Sequence, residues 1–309
     1  MRAVVFAYHN VGVRCLRTLL ARGMQVDLVV THPDDPAETQ WFDSVAAVAR
    51  EHGILVEFVD QTIAPAVLER VRRLEPDYVF SFYFRRMLPV ELLQAARVAA
   101  LNMHGSLLPK YRGRAPVNWA VLHGEAETGA TLHIMQAKPD AGDIVAQQAV
   151  PILPDDTAKD VFDKVTVAAE IALWGVLPQL QHGVVPRQRN DLAQGSYFGG
   201  RKPEDGCIDW HRHAQAIYNL IRAVAPPYPG AFFSVSGHRL IVARARLARP
   251  EIAALLPATS TLGLHVAGGH ALGKSGDGGI VHLLELWDAN QPGIALNTRQ
   301  ISELAGHTS

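Results

Sequence analysis

Up to residue 96 the chain alternates short runs rich in β-branched and apolar residues with longer stretches of helical period. The runs are residues 3–7, 26–31, 55–59 and 77–82, and the helical stretches are 11–22, 41–51, 64–73 and 89–96. Alternating βα units of this length imply an α/β fold, a Rossmann-like and mainly parallel sheet with helices on both faces. Further strands at 129–135 and 144–150, with a long closing helix at 158–180, complete a first domain over residues 1–190. The turn after the first strand, Ala7-Tyr8-His9-Asn10-Val11-Gly12, lacks the Gly-x-Gly-x-x-Gly spacing that lets a backbone approach a pyrophosphate. A nicotinamide dinucleotide is not expected there.

The character then changes. Residues 191–205, with Gly195, Gly199, Gly200 and Pro203, have the composition of a linker or an ordered lid. Over 206–300 a helix at 214–223 is followed by short alternating runs at 231–235, 239–245, 262–267 and 279–287, which predict a small C-terminal β-barrel. The last fifteen or so residues read as frayed.

The 309 residues carry 29 basic and 30 acidic side chains for a formal charge of −1, so the overall field favours neither nucleic acid nor an anionic membrane as partner. The two cysteines, Cys15 and Cys207, are too few for a disulfide framework or a zinc site, which fits a reducing cytoplasm. No basic and apolar leader pattern opens the sequence. The most apolar helical stretch, 165–180, contains Glu170 and Pro178 and falls short of the roughly 20 apolar residues of a membrane span. A cytoplasmic protein is expected, and a homo-oligomer is compatible with the sequence.

Residues 102–116 read Asn-Met-His-Gly-Ser-Leu-Leu-Pro-Lys-Tyr-Arg-Gly-Arg-Ala-Pro. Side chains alternate across a strand, so Asn102 and His104 leave on one face at the carboxyl edge of a sheet, where open α/β folds place ligands. A lone His there is ordinarily a capped, hydrogen-bonded core group. The long cationic loop that follows is costly to order unless it binds something, and that favours a site.

These residues resemble the formyltransferases that use 10-formyltetrahydrofolate, whose signature is Asn-x-His-x-Ser-Leu-Leu-Pro with a distal Asp, here Asp140-Ala141-Gly142-Asp143-Ile144-Val145. Within them the chain is most similar to the formyltransferase half of the bifunctional enzymes acting on UDP-4-amino-4-deoxy-L-arabinose, through Phe6-Ala7-Tyr8-His9, Phe80-Ser81-Phe82-Tyr83 and residues 105–118. The resemblance implies an OB-like second domain and Asn102, His104 and Asp140 as catalytic residues. It also implies 10-formyltetrahydrofolate as co-substrate and no metal. Folate contacts would come from Arg86, Met87, Leu88, Arg114, Gln136, Ala137, Lys138, Pro139 and Asp140. Asp140 would hold the His104 ring and raise its pKa, while Asn102 would donate to the oxyanion. From the residues alone, Asp140 is equally an Asx-turn residue.

The acceptor implied is the 4-amine of UDP-4-amino-4-deoxy-L-arabinose, a step in lipid A modification and polymyxin resistance. Another nucleotide-linked amino sugar is the alternative. Methionyl-tRNA formylation ranks lower, because it needs clustered Lys and Arg along the second domain. Arg201, Lys202, Arg222, Tyr228 and Phe198 are candidates for the acceptor, while Ser106 has no base beside it and is expected to support the loop.

Residues 268–275 satisfy the Walker A pattern, but no helix follows, and a Gly-rich β-turn is expected instead. His211 and His213 lack a third ligand and read as a solvated helix start. His9, His123 and His133 receive the same structural reading.

Overall fold

The computed structural model describes residues 1–33 and 41–306. By contact the chain divides into two units. One comprises Met1–Pro116, Glu127–Pro151 and Phe162–Gly199, and the other Val117–Ala126, Ile152–Val161 and Gly200–Ser309.

In the first unit β1 (Arg2–Ala7), α1 (His9–Ala21), β2 (Gln25–Thr31), α2 (Val45–Glu51), β3 (Leu55–Phe58), α3 (Pro65–Leu74), β4 (Tyr78–Phe82), α4 (Val90–Leu93) and β5 (Ala99–His104) follow in order. The remaining pieces are β6 (Arg112–Gly113), α5 (Pro116–Leu122), β7 (Glu127–Ile134), β8 (Ile144–Pro151), α6 (Ala158–Gln181) and β9 (Tyr197–Phe198). Of these, α5 and the start of α6 fall in the second unit. The main sheet runs β3-β2-β1-β4-β5-β7-β8. Its first five strands pair parallel, and the β7–β8 hairpin joins antiparallel to β5.

Ala3–Ala7 and all of β4 are buried, which is why these runs are continuously apolar rather than alternating: both faces are covered. Strand order reverses between β1 and β4, and at such a switch point the loops diverge and leave a crevice. Because β4 and β5 are parallel, the segments that follow them leave by the same edge. The helix expected from residue 41 begins at Val45, where the Ser44 side chain accepts from Ala47 N at 3.3 Å. Trp41 and Phe42 lie outside it, with ring centroids 4.5 and 4.1 Å from that of His9. Residues 34–40 of the expected connection lie outside the described residues.

The second unit holds α7 (Ala214–Val224), β10 (Ala231–Val235), β11 (His238–Leu247), α8 (Pro250–Ala253), β12 (Gly263–Ala267), β13 (His270–Lys274), β14 (Ile280–Asp288) and α9 (Thr298–Leu304). Its five strands pair antiparallel in the order β10-β11-β14-β13-β12, a half-barrel, with α7 burying Ile217, Tyr218 and Ile221.

Two expectations change here. The tail described to residue 306 is not frayed: α9 starts in a capping box between Asn297 and Gln300 and buries Ile301. The Walker-like stretch is more than a turn, since it supplies strand β13. Gly268 and Gly269, with φ of 55° and 79°, make the β12–β13 turn, and a Cβ on Gly273 would come within 2.3 Å of the Trp210 ring. Lys274 Nζ donates to the carbonyls of Ala258 and Ser260. The lysine of the pattern is thus committed to backbone carbonyls.

Candidate active site

β5 ends with Asn102 and His104 on one side of the strand, and antiparallel pairing sets His133 opposite Asn102 and Thr131 opposite His104. The β7–β8 turn then curls back. Asp140 takes a left-handed φ of 49°, which places its carboxylate beside both imidazoles. Its Oδ1 lies 3.6 Å from His104 Nδ1 and 3.4 Å from His133 Nε2, and its Oδ2 accepts from Gly113 N at 2.9 Å. Buried Asn190 fixes the turn by donating through Nδ2 to the carbonyls of Asp140 and Gly142, each at 3.1 Å. A residue in a sparsely populated backbone conformation, with its side chain held by three partners and its carbonyl by a fourth, is the kind of local strain that folds keep at sites.

The motif loop is tied down as tightly. His104 Nε2 lies 2.8 Å from the Tyr111 carbonyl, which can only accept, so Nε2 carries the hydrogen. Ser106, fully buried, donates to the Lys110 carbonyl at 2.7 Å, and its own carbonyl accepts from Thr131 Oγ1 at 2.6 Å. Ser106 therefore supports the loop, as expected. Gly105 packs beneath Tyr83, whose hydroxyl would lie 1.9 Å from an added Cβ. Gly113 has φ of 98°, and β6 pairs with β9 so closely that a Cβ there would meet the Phe198 carbonyl at 2.1 Å.

Burial opposes charge on both titrating groups. For His104 it prevails: desolvation lowers the imidazole pKa below its ordinary value despite the opposing pull of Asp140 and of the Tyr111 carbonyl. Asp140 pulls the pKa up as expected, but the net shift runs against a cationic His104, because the ring is more deeply buried than the strand-edge position implied. For Asp140, burial pushes the carboxyl up, but His104, His133 and the Gly113 N–H outweigh it and hold the group well below the usual carboxylate range.

Of the expected folate contacts, Arg86 and Met87 are exposed just after β4, with Arg86 Nε donating to the Asp60 carbonyl at 3.1 Å. Leu88 is buried in the cluster that includes Val4, Phe6 and Leu92, so only its backbone remains for a ligand. Gln136, Ala137 and Lys138 are exposed on the turn that leads through half-buried Pro139 to Asp140, and Arg114 is exposed with its N–H on the Phe198 carbonyl at 3.0 Å.

The candidates for the acceptor fare unevenly. In the first unit Phe198 stacks on Tyr111, with centroids 5.4 Å apart. In the second, Arg222 is buried with its guanidinium on the Asp156 carbonyl and Asn219 Oδ1, each at 2.8 Å, so it braces its own unit instead of waiting for a diphosphate. Arg201 lies over the Trp119 ring at 4.8 Å, and Lys202 begins a short capped turn. His211 and His213 sit on Asp209 and Asp277, both at 3.1 Å. Among the described residues no group of three or more His, Cys, Asp or Glu could hold a metal ion, and no helix is long and apolar enough to cross a membrane.

The residue that sequence reasoning passed over is His133. Its period-two relation to Thr131 along β7 was available, but its place opposite Asn102 depends on a register that only the folded sheet supplies.

An amide, an imidazole and a carboxylate gathered at the end of a Rossmann-like strand, on a chain whose later residues form an antiparallel half-barrel, agree with what the family comparisons find. Residues 1–177 match the Formyl transferase family, and residues 201–282 match Formyl transferase, C-terminal domain. The chain belongs to the formyl transferase family and is a formyl-transferring enzyme.

Solved structures share the fold. An N-formyltransferase from Helicobacter canadensis, in complex with folinic acid and dTDP-3-aminofucose, superposes with a TM-score of 0.70 at 21% identity, over 91% of this chain and 98% of that one. WlaRD, a sugar 3N-formyl transferase solved in the presence of dTDP and 5-N-formyl-THF, gives 0.69 at 18% identity, over 94% and 98%. A 4-N formyltransferase from Francisella tularensis gives 0.63 at 20% identity, over 80% and 98%.

Proposed function

We propose that this enzyme transfers a formyl group from 10-formyltetrahydrofolate to the primary amine of a nucleotide-linked amino sugar, with Asn102, His104 and Asp140 as the catalytic residues. The observation that carries the reading is the placement of His104 Nδ1 and His133 Nε2 within 3.6 Å of the half-buried Asp140 carboxylate, next to the half-buried amide of Asn102. Support also comes from sugar N-formyltransferases of the same fold whose structures hold folinic acid or 5-N-formyl-THF.

The co-substrate supplies a carbonyl carbon on a nitrogen that can leave. The protein must hold negative charge on the formyl oxygen and carry a proton from the attacking amine to the departing nitrogen. Asn102 offers amide hydrogens without ionising, which suits the first task. For the second, burial favours the neutral form of His104, and with Nε2 on the Tyr111 carbonyl the Nδ1 atom is the one left to take a proton. It takes the amine proton as general base and returns it as general acid. Asp140 already carries its charge, so the imidazolium formed in between gains a partner without any reorganisation.

The chain fits the donor. Exposed Met87, the backbone at Leu88, and the turn from Gln136 through Ala137, Lys138 and Pro139 to Asp140 offer an apolar face with edge hydrogen bonds for a flat pterin, and Arg86 and Arg114 add charge at its margin.

The acceptor read from the motifs is UDP-4-amino-4-deoxy-L-arabinose, formylated at its 4-amine in the cytoplasm, which would tie the enzyme to lipid A modification and polymyxin resistance. The test is incubation with 10-formyltetrahydrofolate and a panel of UDP- and dTDP-linked amino sugars, read by product mass. A formylated UDP-4-amino-4-deoxy-L-arabinose is expected. Formylation of a dTDP sugar alone would move the acceptor, and no formylated sugar at all would remove the reading.

A further inference from the structure

His32 follows directly on β2 and is buried, with Phe84 stacked on its ring at a centroid distance of 4.2 Å and Tyr8 packed edge-to-face at 5.3 Å. Its two nitrogens reach in different directions. Nδ1 lies 2.7 Å from the Val59 carbonyl just past β3, which only accepts, so Nδ1 carries a hydrogen. Nε2 lies 3.1 Å from the backbone nitrogen of Arg85, which only donates, so Nε2 is bare. Both neighbours ask for the same neutral tautomer.

The link is a long one. In the sheet order β3-β2-β1-β4 the ring joins the end of the strand on one side of β2 to the segment after β4, two strands away on the other. That segment runs into residues 86–88. Its far end is anchored by Leu88, buried among Val4, Phe6 and Leu92, while Arg86 Nε donates to the Asp60 carbonyl and Met87 stands 64% exposed between the ties. A ligand lying on such a segment binds more weakly when it must order the backbone itself.

We propose that His32 is a positioning residue for the formyl donor: by accepting the Arg85 N–H it holds residues 85–88 in the conformation that receives the pterin of 10-formyltetrahydrofolate. This rests on the folate contacts proposed above. His32 acts through the Arg85 backbone and not on either substrate. A proton on Nε2 would set N–H against N–H and break the tie. Among the described residues burial opposes that proton, as do the charges of Arg85 and Arg86, while the Val59 carbonyl and Asp60 favour it, and the net shift lowers the imidazole pKa.

Two variants separate the cases: His32→Leu removes the acceptor, and His32→Gln keeps one that does not titrate. Calorimetric titration of the whole protein with 5-formyltetrahydrofolate at pH 7.5 is expected to give a Kd about tenfold higher for His32→Leu, as for loss of one hydrogen bond that orders a loop, with His32→Gln close to wild type. In steady state the leucine variant is expected to raise KM for 10-formyltetrahydrofolate by a similar factor, with kcat and the acceptor KM little changed. As pH falls from 7.5 to 5, wild-type affinity is expected to drop more steeply than that of His32→Gln. Side-chain 15N NMR near neutral pH is expected to show Nδ1 protonated and Nε2 bare.

A protonated Nε2 at neutral pH overturns the proposal, and so does wild-type affinity in His32→Leu or a donor and acceptor KM that rise together. If the leucine variant does not fold, the glutamine variant decides, and a pH slope as steep as the wild type's overturns the proposal as well. Should the wild type bind no 5-formyltetrahydrofolate, the functional reading is what fails, and the nitrogen shifts still decide whether His32 holds Arg85.

Discussion

In the first unit Asp140 sits between His104 and His133 with its side chain 12% exposed and theirs almost wholly buried, while in the second unit His213 meets Asp277 with its ring 80% exposed. The exposed pair is the closer, at 3.1 Å against 3.6 and 3.4 Å. Distance is therefore a poor guide to consequence. In water an ion pair is screened and offset by side-chain entropy, so the His213 contact contributes little. Away from water the same groups set one another's charge. What Asp277 does contribute is backbone order: it accepts from Ser275 Oγ at 2.5 Å, from Ala214 N at the start of α7 at 3.1 Å, and from Gly279 N at 3.2 Å. Asp140 also holds a backbone N–H, that of Gly113, but the bond serves to aim the carboxylate.

The sharpest way to break this contrast is to neutralise each aspartate. Asp140→Asn keeps the shape and is expected to lower kcat by on the order of 10³- to 10⁴-fold, as where an aspartate orients a catalytic imidazole elsewhere. Steady-state assays with folate and acceptor read it, and a loss of less than about tenfold would make Asp140 a turn residue after all.

A smaller effect concerns acid. Burial lowers the His104 pKa in the folded state, so between that value and the ordinary imidazole value near 6.5 the unfolded chain binds more protons than the folded one. Stability is accordingly expected to fall as pH drops through about 6.5 and to stop falling on this account beneath the folded value. Asp140, depressed in the folded state, contributes stability that is full above its unfolded value of 3.8 and lost as pH falls below it. Thermal unfolding of wild type and His104→Gln between pH 7.5 and 5 checks the first part: the variant should show the shallower slope.

The smallest effect is that of Asp277→Ala, expected to cost about 1 kcal/mol in urea unfolding through the lost support of the α7 start, with kcat unchanged. A catalytic defect in this variant would dissolve the distinction between the two units.

The sequence showed the parallel half of the fold because strands covered on both faces must be apolar throughout, as β1 and β4 are. It showed Asn102 and His104 because alternation is a local rule. The places it hid depend on what lies opposite. β13 was concealed within a glycine pattern whose meaning, at Gly273, is the Trp210 ring above it. α9 was overlooked although Asn297 and Gln300 stand at capping spacing. His133 needed the β5–β7 register, and the resting charge of His104 needed a depth of burial that no local pattern encodes.

One consequence follows from the small β6–β9 pairing. Ser196 takes the N–H of Arg112 on its carbonyl and that of Tyr111 on its hydroxyl, and the Phe198 carbonyl takes the N–H of Arg114. Residues 196–198 thus act as a splint that holds the Gly113 amide where Asp140 can reach it. A fragment ending at residue 190 would carry every signature side chain and yet lack this brace, so the smallest working piece of the enzyme is set by a backbone strut well downstream of the chemistry.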